Sequence, residues 1–291
     1  MIIDSHYHYE SRLQPVDNLI QKMDQNGIEK TVLIATLCDL LPETGELLLK
    51  LLRFFLWNKP LRSLARKLSA NFTETGDLIL PKKTVEIYRH PDNESVARLI
   101  KEYPDRFLGW IFLNPADSED FLEEYEKWKD EPGFIGVKVH PFWHRYPPVK
   151  LLPVAEMLAA SDKPLLAHVG FGTHGDFMPL VNIFPKLKLI LAHTGFPGYR
   201  DTWKQIKNHP NIFVDTSADA YVSERFTRDA VDYLGRERVL FGTDGPYGHR
   251  LAADRMFDNG YLKRRIESLF ADKLTRERIL GENFRELAGI Q

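Results

Sequence analysis

The sequence contains one cysteine, Cys38, among its 291 residues. A single cysteine excludes a disulfide bond within the chain and is typical of proteins in a reducing compartment. The first residues, MIIDSH, lack the basic segment followed by an apolar one that a secretion signal requires. We therefore expect a cytoplasmic protein.

Long apolar runs and a strong net charge are also missing. The longest apolar candidate, residues 47–57, is interrupted by Lys50 and Arg53 and is shorter than the roughly 20 residues that span a bilayer. A formal net charge of −2 provides no basic field for nucleic acid. With 43% hydrophobic and 27% charged residues, the composition is that of a soluble globular protein. We expect a small molecule as the partner, with neither membrane nor nucleic acid involved.

The length and the order of apolar segments predict one (β/α)8 barrel domain over residues 1–291, since such a barrel needs about 250 residues. Eight short apolar runs, each followed by a helical pattern, indicate parallel strands that are covered on both faces. The first run leads from Met1 into His6 and His8, and the others are 31–37, 107–113, 134–140, 164–169, 188–193, 211–216 and 238–244. An open doubly wound sheet is the alternative, but it usually has a glycine-rich turn after its first strand.

Residues 39–91 interrupt this alternation after the second strand. Their pattern is helical, dense in apolar residues and divided by Pro60. We interpret the segment as a helical insertion that serves as a lid over the carboxyl ends of the strands, the alternative being one long crossover helix. Its apolar residues Leu47, Leu51, Phe54, Phe55 and Leu61 equally suit an oligomer contact, for which a homodimer is the default expectation.

Polar residues that end the predicted strands are the candidates for chemistry, because the carboxyl ends of barrel strands converge on one mouth. Alternate side chains of a strand share a face, so His6 and His8 would project side by side. The other strand-end candidates are His140, His168, His193 and Asp244.

Neutral imidazoles with one carboxylate suit a divalent ion such as zinc. A catalytic site of this kind keeps a position open for water or substrate, and it lowers the pKa of bound water to about 7. Asp244 then has two roles, as a ligand and as the group that takes a proton from the attacking water. The alternative for Asp244 is the N-cap of a helix after the GTDGP turn.

The motifs DSHYH, LLAHVG, LAHTG and LFGTDGP, followed by ILGENFREL, resemble the amidohydrolase superfamily. The resemblance is strongest to the branch of metal-dependent hydrolases and decarboxylases that includes aminocarboxymuconate-semialdehyde decarboxylase, resorcylate decarboxylase and related lactonases. It covers nearly the whole chain apart from residues 39–91. One departure is Gly245, where many relatives have an aromatic or small hydroxyl residue.

The resemblance implies that one divalent ion, zinc or manganese, is bound by His6, His8, His168 and Asp244. It also implies that His193 polarises the substrate carbonyl or the water. Relatives with two ions use a carboxylated lysine on the fourth strand, where this chain has Lys138. We favour a single ion, with His140 and Lys138 in substrate binding.

Two reactions fit this set of residues. The first hypothesis is hydrolysis of an amide, lactone or ester of a small molecule by a water that the metal activates. The alternative is non-oxidative decarboxylation of an unsaturated or aromatic acid, for which Arg53, Arg62, Arg66 or Arg145 would supply a cationic pocket. A barrel that only binds is a third interpretation, which the complete ligand set disfavours.

Overall fold

The computed structural model describes residues 1–42, 46–69, 71–80, 83–116, 121–247 and 258–290. In these ranges the chain forms eleven strands, eight of which are parallel and belong to one sheet. They are β1 Ile3–His8, β2 Lys30–Ile34, β3 Asn71–Phe72, β4 Leu78–Leu80, β5 Lys83–Val85, β6 Phe107–Leu113, β7 Phe134–Val139, β8 Leu165–Ala167, β9 Leu189–Leu191, β10 Ile212–Asp215 and β11 Val239–Leu240.

The eight-stranded sheet has the order β1-β2-β6-β7-β8-β9-β10-β11 and closes on itself as a barrel. Closure comes from backbone hydrogen bonds between the first and last segments. The Ser5 N–H donates to the Phe241 oxygen at 3.1 Å, and the Asp244 N–H donates to the His6 oxygen at 2.7 Å. The predicted parallel barrel is confirmed, and the open doubly wound sheet is excluded.

Helices connect the strands and pack outside the barrel. They are α1 Val16–Asn26, α2 Glu46–Trp57, α3 Arg62–Ser69, α4 Asn93–Glu102, α5 Phe121–Trp128, α6 Leu152–Ala160, α7 Met178–Ile183, α8 Arg200–Ile206, α9 Glu224–Leu234, α10 Tyr261–Leu269, α11 Lys273–Glu277 and α12 Asn283–Ala288. Local sequence sets several boundaries. The Asp92 side chain caps α4 by accepting from the Ser95 N–H, and Gly27 ends α1 with a left-handed φ of 63°.

The barrel interior is filled by large side chains from the strands. Trp110 and Phe112 are fully buried, and the Trp110 Nε1–H donates to the Ser5 oxygen at 2.9 Å. This packing makes the barrel a closed core, so a ligand has access only at the mouth where the strands end.

The insertion after β2 begins as predicted, with α2 and α3. Its second half differs from the helical prediction, because β3, β4 and β5 form a small antiparallel sheet there. Strands of two or three residues are too short to show an alternating pattern in the sequence. Leu47, Leu51 and Phe54 of α2 are exposed, and their role in a homodimer contact stays a prediction.

No helix within the described ranges is long and apolar enough to cross a membrane.

Candidate metal centre

His6 and His8 lie on β1 and face the same carboxylate. The His6 Nε2 is 3.3 Å and the His8 Nε2 is 3.6 Å from the Asp244 Oδ1. Both rings are buried, and the Asp244 side chain is 14% exposed. The predicted pair of imidazoles therefore projects into one place at the mouth, with the carboxylate from the opposite end of the chain beside it.

Barrel closure positions Asp244. Its backbone has a φ of 58°, in the left-handed region that non-glycine residues seldom adopt, and its N–H donates to the His6 oxygen. The next residue, Gly245, accepts from the His8 N–H at 2.7 Å. Asp244 thus lies just beyond β11, where the last segment of the barrel pairs with β1. Residues 248–257, which a helix after the GTDGP turn would use, lie outside the described residues, so the helix N-cap alternative stays a prediction.

The geometry of these three groups fits a divalent ion. Two ligand atoms that each lie about 2.1 Å from one ion are separated by about 3.0–3.5 Å, close to the two distances observed here. Burial, reinforced by the charge of Lys138, lowers the pKa of His6 and His8 well below its usual range, so both rings stay neutral and keep a lone pair. Burial raises the pKa of Asp244 to about 8, because the charged carboxylate is costly to remove from water. A bound cation would offset that cost.

The hydrogen bonds of the histidines indicate which ring nitrogen is available. The Nδ1 atoms of His8 and His168 face the backbone oxygens of Ala35 and Val169, at 3.4 and 2.9 Å. A carbonyl oxygen only accepts, so both Nδ1 atoms carry the proton and both Nε2 atoms keep a lone pair. His140 is the opposite case, because its Nδ1 accepts the Trp143 N–H at 3.1 Å. His140 therefore offers an Nε2–H donor, which suits a substrate oxygen and does not suit a metal.

His168 lies between the rings of His140 and His193, beside the His6, His8 and Asp244 group. Its centroid is 4.0 Å from that of His140 and 4.7 Å from that of His193. Burial lowers its pKa to about 3. In the described part of the chain, the compact groups of possible ligand atoms are His6, His8 and Asp244, and His6, His193 and Asp215. His168 belongs to neither, so its role as a fourth ligand stays a prediction.

Lys138 is fully buried on β7 and reaches the same group of residues. Its Nζ lies 3.2 Å from the His6 Nε2. Burial lowers the pKa of Lys138 to about 8, although Asp244 and Asp215 act in the other direction. The structure thus places Lys138 at the mouth, while its part in substrate binding or in a second metal site stays a prediction.

His193 follows β9 in a strained turn. Its φ is 55° and that of Thr194 is 52°, and the His193 N–H donates to the Asp215 Oδ1 at 2.8 Å. The His193 Nδ1 faces the Ser217 Oγ at 2.8 Å. Backbone strain of this kind persists only where the surroundings hold it, and here the Asp215 carboxylate does so.

Sequence reasoning missed Asp215 and Ser217. Both are fully buried at the end of β10, and the Asp215 Oδ2 lies 2.9 Å from the His6 Nδ1. Asp215 ends a predicted strand just as the candidate histidines do, so the strand-end criterion could have found it. Ser217 gives no such signal, because a serine after a strand is ordinary loop chemistry.

Aromatic rings surround the histidines. Trp143 lies 5.2 Å from His140, Tyr221 lies 5.2 Å from His193, and Tyr247 lies 5.9 Å from His8, measured between ring centroids. The insertion adds to this wall, since Trp57 at the end of α2 donates from Nε1 to the Tyr221 oxygen at 3.0 Å.

The arginines that the sequence analysis offered for a cationic pocket have different surroundings in the structure. Arg62 lies over the Tyr199 ring, and Arg145 donates to the Thr73 oxygen. Arg53 of α2 points to the loop after β10, with its Nη2 3.8 Å from the Asp219 Oδ1. The side chain of Arg66 lies outside the described residues.

Histidines and a carboxylate lie where the strands of this parallel barrel end. Barrel enzymes carry their catalytic side chains at this place. The chain belongs to the amidohydrolase family, whose sequence model matches residues 70–289. The match begins after His6 and His8, so the family assignment does not depend on that pair.

One sequence relative and two solved structures show which proteins this chain is similar to. The sequence is 25% identical over 224 residues to γ-resorcylate decarboxylase from Polaromonas sp. strain JS666, which covers 57% of this chain and 68% of the relative. The fold resembles 4-oxalomesaconate hydratase from Rhodopseudomonas palustris, at 20% identity and a TM-score of 0.62 over 99% of this chain and 96% of that chain. It also resembles dihydroxybenzoic acid decarboxylase from Polaromonas sp. JS666 with bound manganese and 2-nitroresorcinol, at 18% identity and a TM-score of 0.60 over the same shares.

Proposed function

We propose that this protein is a metal-dependent decarboxylase that removes a carboxyl group, without an oxidant, from an aromatic or unsaturated acid. The observation that carries the proposal is the position of Asp244, whose Oδ1 lies 3.3 Å from the His6 Nε2 and 3.6 Å from the His8 Nε2. This position places a carboxyl group that can exchange protons beside a cation site with aromatic rings around it. The two decarboxylase relatives support this reaction more than hydrolysis, which the sequence analysis placed first.

His6, His8 and Asp244 would hold one zinc or manganese ion, with His168 completing the set. The bound ion would supply positive charge that orients the acid and stabilises negative charge on its oxygens. The Nε2–H of His140 would donate to a substrate oxygen, and the buried Lys138 ammonium would neutralise a second one.

The chemistry of the reaction assigns the proton. The ring carbon that bears the carboxylate would take a proton from the oxygen of Asp244 that does not face His6 and His8, and the aromatic system is lost for that step. Asp244 would regain a proton from solvent after carbon dioxide has left. The bond to the carboxylate then breaks, its electron pair restores the ring, and carbon dioxide leaves. The Nε2 of His193 would accept a hydrogen bond from a hydroxyl group of the substrate next to the carboxylate, because its Nδ1 already faces Ser217.

A panel of substrates tests the proposal with the protein reconstituted with zinc or manganese. Hydroxylated benzoates, matched lactones and an oxalomesaconate-type alkene separate decarboxylation, hydrolysis and hydration. We expect carbon dioxide release from a hydroxybenzoate, with one deuterium at the vacated carbon when the solvent is D2O. Lactone opening or hydration without carbon dioxide release would overturn the proposal.

A further inference from the structure

Asp215 is the centre of a buried hydrogen-bond network behind the candidate metal ligands. Its Oδ2 faces the His6 Nδ1 at 2.9 Å. Its Oδ1 accepts from the His193 N–H at 2.8 Å, from the Ser217 N–H at 3.0 Å and from the Ser217 hydroxyl. Four donors thus converge on one side chain with no exposed surface.

The directions of these bonds fix the protons. A carboxylate oxygen only accepts, so the His6 Nδ1 must carry a proton. The other nitrogen of the same ring agrees, since the Lys138 ammonium 3.2 Å away can only donate to the His6 Nε2. His6 is therefore the tautomer with a lone pair on Nε2, the nitrogen that faces Asp244.

His193 is fixed in the same way through Ser217. The single hydroxyl proton of Ser217 is donated to Asp215, so Oγ accepts from the His193 Nδ1 at 2.8 Å. The backbone oxygen of Ser217, at 3.2 Å from the same Nδ1, can also only accept. The His193 Nε2 has no hydrogen-bond partner within the described ranges, so its lone pair is available at the mouth.

We infer that Asp215 and Ser217 are positioning residues that hold His6 and His193 as Nδ1–H tautomers. The inference rests on the proposed metal site. It adds that two residues outside the ligand set, Asp215 and Ser217, are needed to keep the Nε2 atoms of His6 and His193 unprotonated. His6, His193 and Asp215 also form a compact group of possible ligand atoms. Hydrogen bonds already link these three residues, directly or through Ser217. This group therefore orients the ligands and is not a second ion site.

The Asp215→Asn variant tests the tautomer of His6. Three donors keep the amide oxygen at the Oδ1 position, so the NH2 group must face the His6 Nδ1. That nitrogen then has to accept, which moves the ring proton to Nε2 and blocks the ligand atom. We expect the affinity for Zn²⁺, measured by competition with a chelator dye, to fall about 10–100-fold while the circular dichroism spectrum is unchanged.

The matched control is Thr216→Val. Thr216 adjoins Asp215, and its buried Oγ1 has no hydrogen-bond partner within the described ranges. The replacement keeps the shape of the side chain and the network, so we expect the affinity for Zn²⁺ to stay within about 2-fold of the wild type.

A direct readout needs no variant of Asp215. Long-range ¹H–¹⁵N spectra of the metal-free wild type, with histidine labelled, report which ring nitrogen carries each proton. We expect Nδ1–H for His6 and His193 and Nε2–H for His140, an internal control, with signals assigned from His6→Gln, His193→Gln and His140→Gln variants. A proton on Nε2 of His6 or His193 would overturn the inference even if Asp215→Asn failed to fold.

The outcomes separate the two proposals. A wild type that binds no Zn²⁺ or Mn²⁺ ends the proposed metal site, whatever the tautomers are. A wild type that binds Zn²⁺, together with a folded Asp215→Asn variant of equal affinity, ends the inference and leaves the metal site intact.

Discussion

Asp4 and Thr243 join the first and last segments of the barrel. The Asp4 Oδ1 accepts from the Thr243 N–H at 2.9 Å, and the Asp4 Oδ2 accepts from the Thr243 Oγ1 at 2.6 Å, across 239 positions of sequence. Both residues are fully buried. The bond lies directly behind His6 and Asp244, so it secures the strand ends that carry the candidate ligands.

Removing this acceptor should destabilise the barrel. Asp4→Ala leaves buried donors of Thr243 without a partner, and we expect the free energy of unfolding to fall by about 2–3 kcal/mol. Asp4→Asn retains an acceptor and should cost about 1 kcal/mol. Urea unfolding of metal-free protein measures both, and Asp24→Ala, at an exposed residue, serves as the control. Equal stability of Asp4→Ala and Asp24→Ala would contradict the assignment.

The same carboxyl group should make stability depend on pH. Burial raises the pKa of Asp4 from 3.8 to about 7 in the folded protein. The folded state therefore binds this proton more tightly than the unfolded state does, so the contribution is fully present below pH 3.8 and is lost as the pH rises through 7. The stability of the wild type relative to Asp4→Asn should fall between about pH 4 and pH 7 in urea unfolding of metal-free protein. A constant difference would show that Asp4 is ionised throughout.

The positions of the strands were predictable because each barrel strand is a short apolar run, covered on both faces. Their ends were not, since several predicted strands continue past the last paired residue. His168 and His193 lie beyond β8 and β9, and the left-handed backbone of His193 depends on a hydrogen bond to Asp215, 22 positions later. Such a turn is set by tertiary contacts, and local pattern does not contain it.

The residues of the site were predictable because they follow strand ends. The hydrogen bonds that orient those residues were not. His6, His8 and Asp244 converge as the strand-end criterion indicated. The choice of ring nitrogen depends on acceptors such as the Ala35 oxygen and Asp215, which the sequence does not reveal. The roles predicted for His168, His193, His140 and Lys138 await the experiments.

Loss of one ligand should remove both metal and activity. Asp244→Asn and His6→Ala each delete a donor from the group that fits the ion, so decarboxylation should fall about 100-fold or more, since loss of an outer partner alone costs 10–100-fold. Metal content is measured by elemental analysis and folding by circular dichroism. His90→Ala, at an exposed histidine, is the control. A variant of Asp244 with full metal content and full turnover would refute its assignment.

Arg53 should recognise the carboxylate of the substrate. Its Nη2 lies 3.8 Å from the Asp219 Oδ1, in the loop that also carries Tyr221, and its Nε has no hydrogen-bond partner within the described ranges. Arg53→Met should raise KM for an acid substrate about 10-fold and change kcat less, because the lost interaction is with a charged group in the ground state as well as the transition state. Arg62→Met is the control, since Arg62 is occupied by Tyr199. Equal KM values for the two variants would exclude this role.

Gly245 should be essential for the position of His8. A Cβ at this residue would lie 2.4 Å from the Cε2 of Tyr7, which is buried and held by a hydrogen bond from its hydroxyl to Gln14. The ring of Tyr7 thus fills the space beside Gly245. The Gly245 oxygen also accepts from the His8 N–H at 2.7 Å, so any displacement of Gly245 moves a metal ligand.

Gly245→Ala should therefore lower stability by about 1–3 kcal/mol, the cost of overpacking, and should weaken Zn²⁺ binding as well. Tyr7→Leu removes the ring that causes the clash, so the double variant should regain part of both losses. The measurement is a double-mutant cycle of urea unfolding and chelator competition. Strict additivity of the two substitutions would show that Gly245 and Tyr7 do not compete for the same space, and the loss of binding would then need another cause.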